Sequence, residues 1–282
     1  MIIFGLISLL FFGLNLSIDF TGGTRMTLAF KERVKEQEKK KIKAMLGAQK
    51  INVSVIETSN QLVFVRTSPM NQEQNNKFAQ SISKEFKDVK QTEFETIGPT
   101  IGQETTKNAT KAIIVASFLI VLYVTWSFRK VPKPASSFRF GICAIVALIH
   151  DVLIMFGAFS LFGHFFKVEI NSLFVTAILT IIGFSVHDTI VVFDRIRENL
   201  IRMIGVPFTQ VVNESILQTI DRSLNTSLTV VVVLFSILLF GGESIRWFAV
   251  ALLIGIVAGT YSSIFFASPL LLIWHEWRSK KN

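Results

Sequence analysis

Long apolar runs separated by shorter polar segments dominate the pattern of the chain. Five of these runs are nearly free of charge, at residues 112–128, 140–162, 170–193, 224–240 and 247–274. Because a helix needs about 20 mainly apolar residues to cross the hydrocarbon core, the runs predict five transmembrane helices. A sixth is predicted at residues 1–19, where the apolar stretch is short and a few residues upstream would complete it. A cleaved signal peptide is not predicted, since no basic leader and no A-x-A site accompany it.

Residues 20–108 form one long polar segment, and its periodicity predicts a small α+β domain that begins at the Gly22-Gly23 turn. The predicted strands are 24–30, 51–57, 62–67 and 89–97, the helices are 32–48 and 71–86, and Ser59-Asn60 is the hairpin turn. This order is that of the split-βαβ or ferredoxin-like arrangement, with both helices on one face of an antiparallel sheet. The expected fold class is a polytopic α-helical membrane protein with one ferredoxin-like extracytoplasmic domain, residues 109–282 carrying helices two to six.

The charge distribution predicts an orientation in the membrane. Half of the residues are hydrophobic, the mean hydropathy is +0.51 and the net charge is +9, as is typical of a membrane protein with one polar insertion. Basic residues concentrate beside the predicted spans, at 129–139 (with Lys130 and Lys133), 194–222 and 278–281. The positive-inside rule places these segments and both termini in the cytoplasm and the polar domain outside. The net charge is therefore not interpreted as a nucleic-acid binding surface.

Sequence signals for enzymes and metal sites are missing. The single cysteine, Cys143, lies in an apolar run and provides neither a disulfide framework nor a thiolate metal site. The sequence contains no HExxH, no phosphate loop and no serine elbow. His150 and Asp151 are adjacent in a predicted helix and are expected to point to two of its faces. The prediction is a protein without enzymatic activity, cofactor or metal.

Ionisable residues inside the predicted spans are the candidate functional groups. An ionised Asp near the bilayer centre costs about 2.5–3.5 kcal/mol on insertion scales, and such residues usually carry protons, ions or a partner charge. Asp188 in the fourth span is the first candidate, Arg222 at the mouth of the fifth is its predicted partner, and Asp151 is a second acid. Burial and a nearby Arg oppose each other in setting the protonation of a carboxyl group, so protonation can follow geometry. A static ion pair is the alternative.

The two histidines next to these acids are secondary candidates. His187 lies about 100° round the helix from Asp188, so that the two side chains cannot share a partner. A local hydrogen bond is therefore expected for His187. His150 is left open between a structural role and a functional one.

Small residues recur every four positions along the sixth span. They are Ala251, Gly255, Gly259, Ser263 and Ala267. Such a face lets another helix approach closely. Packing within the chain is the favoured interpretation, and a partner interface is the alternative.

Several long segments together resemble the SecF branch of the SecD/SecF family of protein-export membrane proteins, in the RND superfamily. They are LNLSIDFTGGT, IGPTIGQE, SVHDTIVVFDRIREN, LNTSLT and FGGESIRWFAVALLIGIVAGTYSSIFFASPLLL. The resemblance extends over nearly the whole chain, and its single modest insertion is similar to SecF rather than to SecD or a fused SecDF. It departs at His187, where the family commonly has Asn.

The resemblance implies a role in protein export across the bacterial cytoplasmic membrane, with a ferredoxin-like periplasmic domain and six spans. It implies partnership with SecD, the SecYEG translocon and YajC, a translocating precursor polypeptide as cargo, and use of the proton-motive force or, in some members, sodium. The family's coupling Asp falls on Asp188 and its fifth-helix Arg on Arg222. Motion would reach the external domain through the Gly22-Gly23 turn and segment 97–108.

Two other functions are compatible with parts of the pattern. An RND-type exporter of small molecules or lipids would have an apolar pocket in its external domain and a second six-span repeat in the same chain. A scaffold subunit that transduces no energy would tolerate charge-neutral substitutions at Asp188 and Arg222.

Overall fold

The structure, a computed structural model, describes residues 2–59, 61–86, 88–129, 132 and 136–279. Four parts of the sequence prediction lie outside the described residues: Asn60, Lys130, Lys133 and residues 280–281. The chain divides into two compact units, one of residues 1–15 and 110–282 and one of residues 16–109. The first is apolar and helical, and the second contains helices and a sheet.

The described elements are named here in chain order. They are α1 (Ile2–Phe12), α2 (Ile18–Thr21), β1 (Gly23–Ala29), α3 (Glu36–Ala48), β2 (Val53–Ser59), β3 (Leu62–Thr67), α4 (Gln72–Glu85), β4 (Lys90–Ile97), α5 (Pro99–Ser127), α6 (Ser137–Phe166), α7 (Ser172–Arg202), α8 (Phe208–Phe240), α9 (Glu243–Ser262), the π segment (Ser263–Ala267) and α10 (Ser268–Ser279).

The sheet of the second unit is antiparallel throughout, with strand order β2-β3-β1-β4. Met26 of the central strand β1 pairs with Val65 of β3 and with Phe94 of β4. Because side chains alternate across a strand, Met26 and Leu28 point to the same face. There they join one buried cluster with Ile42 and Leu46 of α3 and with Phe78 and Ile82 of α4. The other members, from β3 and the connections, are Ile51, Val63, Val65, Met70 and Val89. Both helices therefore contribute to a single core with this face of the sheet.

Capping boxes fix where α3 and α4 begin. The Lys35 backbone N–H donates to the Glu38 carboxylate over 2.6 Å. At α4, the Asn71 side chain accepts from the Gln74 N–H and the Gln74 side chain accepts from the Asn71 N–H. Such reciprocal bonds satisfy donors that the helix itself leaves free. Helix α3 consequently starts at Glu36, four residues later than the predicted start at residue 32.

The Gly22-Gly23 turn leads directly into β1 and is closely packed. Its φ angles are 71° and 131°, values that favour glycine. A Cβ on Gly23 would lie 2.8 Å from the Thr67 carbonyl oxygen, and one on Gly22 would lie 2.9 Å from Pro99 Cα. A short helix that the sequence did not predict, α2, precedes the turn. Pro99 begins α5, so the predicted connecting segment 97–108 is mostly the first part of that long helix.

Five helices among the described residues are long and apolar enough to cross a membrane. They are Pro99–Ser127, Ser137–Phe166, Ser172–Arg202, Phe208–Phe240 and Glu243–Arg278, the last including the π segment and α10. The polar segment 194–222 lies mostly in two long helices, since α7 continues to Arg202 and α8 begins at Phe208. Only residues 203–207 connect them, with Gly205 at φ 87°. The charged residues of this segment therefore continue the long helices α7 and α8.

Helix α9 packs its small residues against α7 within the chain. A Cβ on Gly255 would lie 2.0 Å from Ile181 Cδ1, and one on Gly259 would lie 3.0 Å from Ser185 Cβ. The predicted single helix 247–274 is corrected to α9, the π segment and α10. Pro269 explains the interruption, because a proline lacks the N–H donor and its ring clashes with the carbonyl four residues earlier.

The eleven-residue helix α1 is held against α6 by small residues. A Cβ on Gly157 would lie 2.5 Å from Gly5 Cα. One turn away, the Ser8 hydroxyl donates to Ser160 Oγ over 3.0 Å, and Ser160 Oγ donates to the Ser8 carbonyl over 3.0 Å. Close backbone approach with hydroxyl bonding is a recurrent form of helix association in membranes.

Replacing Gly157 with leucine is expected to separate α1 from α6, because the obstruction is backbone and cannot move aside alone. Paired substitutions Ser8→Cys and Ser160→Cys should form a disulfide on oxidation, measured by thiol alkylation and mass spectrometry. Gly157→Leu should abolish this cross-link. Gly183→Leu is the matched control, since a Cβ at Gly183 meets nothing within 4 Å. Unchanged cross-linking in Gly157→Leu would contradict the packing described.

Candidate functional site

Asp151 of α6 is buried and fully hydrogen-bonded. It is 1% exposed. Its Oδ2 accepts from Ser185 of α7 at 2.5 Å and from Ser262 of α9 at 2.8 Å. Its Oδ1 lies 2.9 Å from His150 Nδ1, the distance of a bond in which the imidazole N–H donates. Three polar partners from three helices thus offset the cost of removing this carboxylate from water.

The sequence predicted that His150 and Asp151, as neighbours in a helix, point to different faces. The structure shows instead that their side chains contact each other. Both side chains are buried, and the imidazole turns to meet the carboxylate. The phenyl ring of Phe266 stacks on the imidazole ring, with ring centroids 4.5 Å apart and 25° between planes. His150 thus orients Asp151 and is itself fixed by an aromatic ring.

Asp188 of α7 is buried but much less completely hydrogen-bonded. It is 3% exposed. Ser263, the first residue of the π segment, donates to Asp188 Oδ2 over 3.5 Å, a long contact. The buried hydroxyl of Ser223 in α8 lies beside the same carboxyl group without forming a well-aligned hydrogen bond. A buried carboxyl group with such weak partners is costly when ionised, so its protonation and its surroundings are sensitive to small movements.

Arg222 does not contact Asp188 in this structure. Within residues 136–279, Asp188 forms no ion pair, and the Arg222 side chain is exposed. The reason is the helical repeat: Arg222 and Ser223 are neighbours and point about 100° apart. Since Ser223 faces Asp188, Arg222 lies on the outer side of α8. The predicted direct pair is thus replaced here by a serine.

His187 is exposed on the outer side of α7, next to Asp188 in sequence. The local hydrogen bond predicted for it is not found, because its side chain has no hydrogen-bond partner in the part of the chain that the structure describes. The side chain remains close enough to act electrostatically on Asp188. It is the one histidine that borders this acid from outside the helix bundle.

The serines that surround both acids were not among the predicted site residues. Ser185, Ser262 and Ser263 are each buried at 1% exposure or less. A signal was present: Ser185 lies three residues before Asp188, on the same face of α7, and Ser263 belongs to the small-residue face of the last span. Ser263 was interpreted by its size alone, and the hydroxyl groups of Ser185, Ser262 and Ser263 were not considered as partners for the acids.

No metal site accompanies the cluster. Among the described residues, no group of three or more His, Cys, Asp and Glu side chains is close enough to hold an ion. The chemistry that the arrangement supports is hydrogen bonding and proton binding by two carboxyl groups inside an apolar helix bundle.

Comparison with known proteins gives two family matches. Residues 77–277 match the C-terminal region of the protein export membrane proteins SecD and SecF, and residues 7–32 match the SecD/SecF GG motif. The second match contains the Gly22-Gly23 turn. The first contains both buried acids, Arg222 and the π segment.

Individual relatives are similar over almost their whole length. The chain is 47% identical to the protein translocase subunit SecF of Thermobaculum terrenum, covering 98% of this chain and 89% of that one. It is 42% identical to the SecF of Anaerolinea thermophila, covering 99% and 91%. These similarities identify a SecF-type subunit of the protein-export machinery.

A solved structure provides the fold comparison. The crystal structure of SecDF from Thermus thermophilus, described as a translocon-associated membrane protein, is similar with a TM-score of 0.84 and 34% identity. The match covers 98% of this chain and 36% of that one, so the chain spans about a third of the fused protein. The chain therefore belongs to the SecD/SecF family of protein-export membrane proteins.

Proposed function

We propose that this SecF-type subunit works with SecD to convert the proton-motive force into late-stage movement of precursor polypeptides through SecYEG. The observation that carries the proposal is Asp188: a buried, weakly hydrogen-bonded carboxyl group between three membrane helices. An acid kept at that cost in a bundle core is the group expected to take up and release an ion. Sodium is the alternative ion.

Rotation of α8 gives protonation of Asp188 a mechanical consequence. When Asp188 is neutral, its carboxyl group requires no positive partner, and the Ser223 hydroxyl can occupy the position beside it. When it is ionised, a positive partner is favoured, and a turn of α8 by about 100° would bring Arg222 to the position that Ser223 holds. One charge moving through 100 mV supplies about 2.3 kcal/mol, which biases such an equilibrium without locking it.

The proposed architecture has six spans and both termini in the cytoplasm. Helix α1 would be the first span, docked on α6 through Gly5 and Gly157. The β-α-β-β-α-β order with sheet order β2-β3-β1-β4 supports assignment of the second unit to the ferredoxin-like arrangement. Arginines at the ends of α5 and α7, such as Arg129 and Arg202, support a cytoplasmic position for those ends. The ferredoxin-like unit is then periplasmic.

The proposed partners follow from the relatives. A SecDF chain joins the region similar to this one to further sequence, and its description is translocon-associated, which supports association with SecD and with SecYEG. YajC is a further proposed partner, on the family resemblance. The exposed apolar side chains of α5 and α8, including Phe118, Leu122 and Val232, are expected to face lipid or the SecD helices.

Export by inverted membrane vesicles tests the proposal. Vesicles containing SecD, with this chain present or depleted, would complete translocation of a precursor after the ATP-driven stage, with and without an imposed proton gradient. The gradient is expected to speed completion only when the chain is present. A gradient effect that persists after depletion would overturn the proposal. If depletion of the chain reduces export equally with and without the gradient, a scaffold function is favoured. If depletion leaves export unaltered, an exporter of small molecules is favoured. If only a sodium gradient speeds completion, sodium is the coupling ion.

A further inference from the structure

Two adjacent serines connect the surroundings of the two buried acids. Ser262 donates to Asp151 over 2.8 Å, and Ser263 lies 3.5 Å from Asp188 Oδ2. Both serines are fully buried. As consecutive residues in a helix, their side chains point about 100° apart. One turn of the helix therefore places one serine against the acid on α6 and the other against the acid on α7. The contacts of the two acids are therefore set by the same stretch of main chain.

This stretch lies where α9 changes into the π segment. Pro269 disfavours a regular α-helical turn before it, since its ring clashes with the carbonyl of Phe265. The Ser268 hydroxyl donates to the Ser263 carbonyl oxygen over 3.2 Å, satisfying an acceptor in the widened turn. Single π turns within α-helices often mark functional positions. A π turn holds one more residue than an α turn, so its displacement along the helix would rotate the two serines by about 100°.

The charged neighbours of both acids are few. Within residues 136–279, neither acid forms an ion pair with Lys or Arg. His150 of the same helix contacts Asp151, and His187 of the same helix lies near Asp188. From the neighbouring helices α7, α8 and α9 the acids receive hydroxyl groups. Hydroxyl orientation and backbone position are thus the available means of communication between the acids.

We propose that Ser262 and Ser263 are positioning residues that make Asp151 and Asp188 bind and release protons as one coupled pair. Ionisation of one acid draws its serine hydroxyl closer, and because the serines share one turn, the hydrogen bond to the other acid changes with it. Coupled carboxyl groups lose their protons in two steps that belong to the pair. The inference rests on the proposed function, since proton uptake at Asp188 is the event that the pair would control.

Chemical labelling of the carboxyl groups tests the coupling without any export. A hydrophobic carbodiimide reacts with protonated carboxyl groups, and mass spectrometry of the peptides measures labelling of each acid in membranes that contain SecD. Asp151→Asn is expected to shift the pH of half-maximal labelling of Asp188 by about one unit, which is a tenfold change in its proton affinity, as for coupled sites. In a Ser262→Ala, Ser263→Ala background, the same substitution should change that affinity by less than about twofold, as for independent sites.

A control with threonine at both positions separates loss of the hydroxyl groups from other effects of substitution. The double variant Ser262→Thr, Ser263→Thr retains both hydroxyl groups and is expected to retain the tenfold effect, at a membrane level equal to that of the unchanged chain. An equal effect in the serine and alanine backgrounds would show that the acids interact through space, and no effect in either would show that they are independent. Either result overturns the proposal. Both leave gradient-dependent export intact, whereas failure of the proposed function abolishes the gradient effect itself.

Discussion

Asp188→Asn is expected to abolish the gradient-dependent part of precursor export while the subunit still assembles with SecD. Asparagine keeps the size of the side chain and can hydrogen-bond to Ser263 and Ser223, so packing among α7, α8 and the π segment is preserved. It cannot bind or release a proton. The electrical work of about 2.3 kcal/mol per charge per 100 mV corresponds to a rate effect of about fiftyfold at most, and this is the part that should disappear.

The matched control is Asp194→Asn on the same helix. Asp194 is exposed and pairs with Arg197 over 2.6 Å. Exposed ion pairs of this kind contribute little to stability. Its replacement is expected to leave export within about twofold of the unchanged chain. Vesicles would be compared at equal membrane levels and equal SecD content, with and without the imposed gradient. Full gradient dependence in Asp188→Asn would assign this acid a structural role and favour the scaffold function.

The gross organisation of the chain could be read from hydrophobic patterning because burial follows composition there. Runs such as 140–162 lie within long helices, and strand 62–67 has the bounds that its alternation predicts. The helix ends were less accurate. Polar residues 194–202 continue α7, since i,i+3 and i,i+4 pairs such as Arg197–Asp194 and Arg202–Glu198 stabilise a helix beyond the membrane. A polar pattern alone does not distinguish a helix end from a connection.

The candidate site was predicted in its acids but not in its partners. Asp151 and Asp188 are conspicuous because a carboxyl group in an apolar run is costly. Serine hardly changes a hydrophobic pattern, so the spacing of Ser185 from Asp188 was a much weaker signal than the acids themselves. The facing direction of α8 also depends on tertiary packing: a difference of one residue decides whether Ser223 or Arg222 meets Asp188. That choice is made by neighbouring helices, which a sequence pattern does not describe.

The sequence contains a signal for the π segment, but the signal does not specify the form of the irregularity. Pro269 after Ser268 signals a disturbed helix, but a proline in a membrane helix is compatible with a kink, a break or a widened turn. Here the turn widens, and the Ser268 hydroxyl satisfies a carbonyl group. The last apolar helix is therefore irregular at the place where Ser262 and Ser263 face the two acids.

Gly23→Ala is expected to destabilise the unit of residues 16–109 by about 2–6 kcal/mol. The backbone at φ 131° is unfavourable for alanine, at about 1–3 kcal/mol. The new Cβ would also meet the Thr67 carbonyl oxygen at 2.8 Å, and such overpacking costs about 1–3 kcal/mol. Since β1 begins at this residue and pairs with both β3 and β4, the strain falls on the centre of the sheet.

Amide hydrogen exchange of β1 in the full-length protein measures this effect. A loss of about 2 kcal/mol corresponds to exchange roughly thirtyfold faster through the opened state, followed by mass spectrometry of peptides covering β1 and β3. Gly47→Ala is the matched control: its Cβ meets nothing within 4 Å, and removing a helical glycine stabilises by about 0.5–1 kcal/mol. Slow exchange in Gly23→Ala would mean that the turn can relax without the sheet. The turn would then be a flexible tether, and this result would count against the proposed transmission of movement through the Gly22-Gly23 turn.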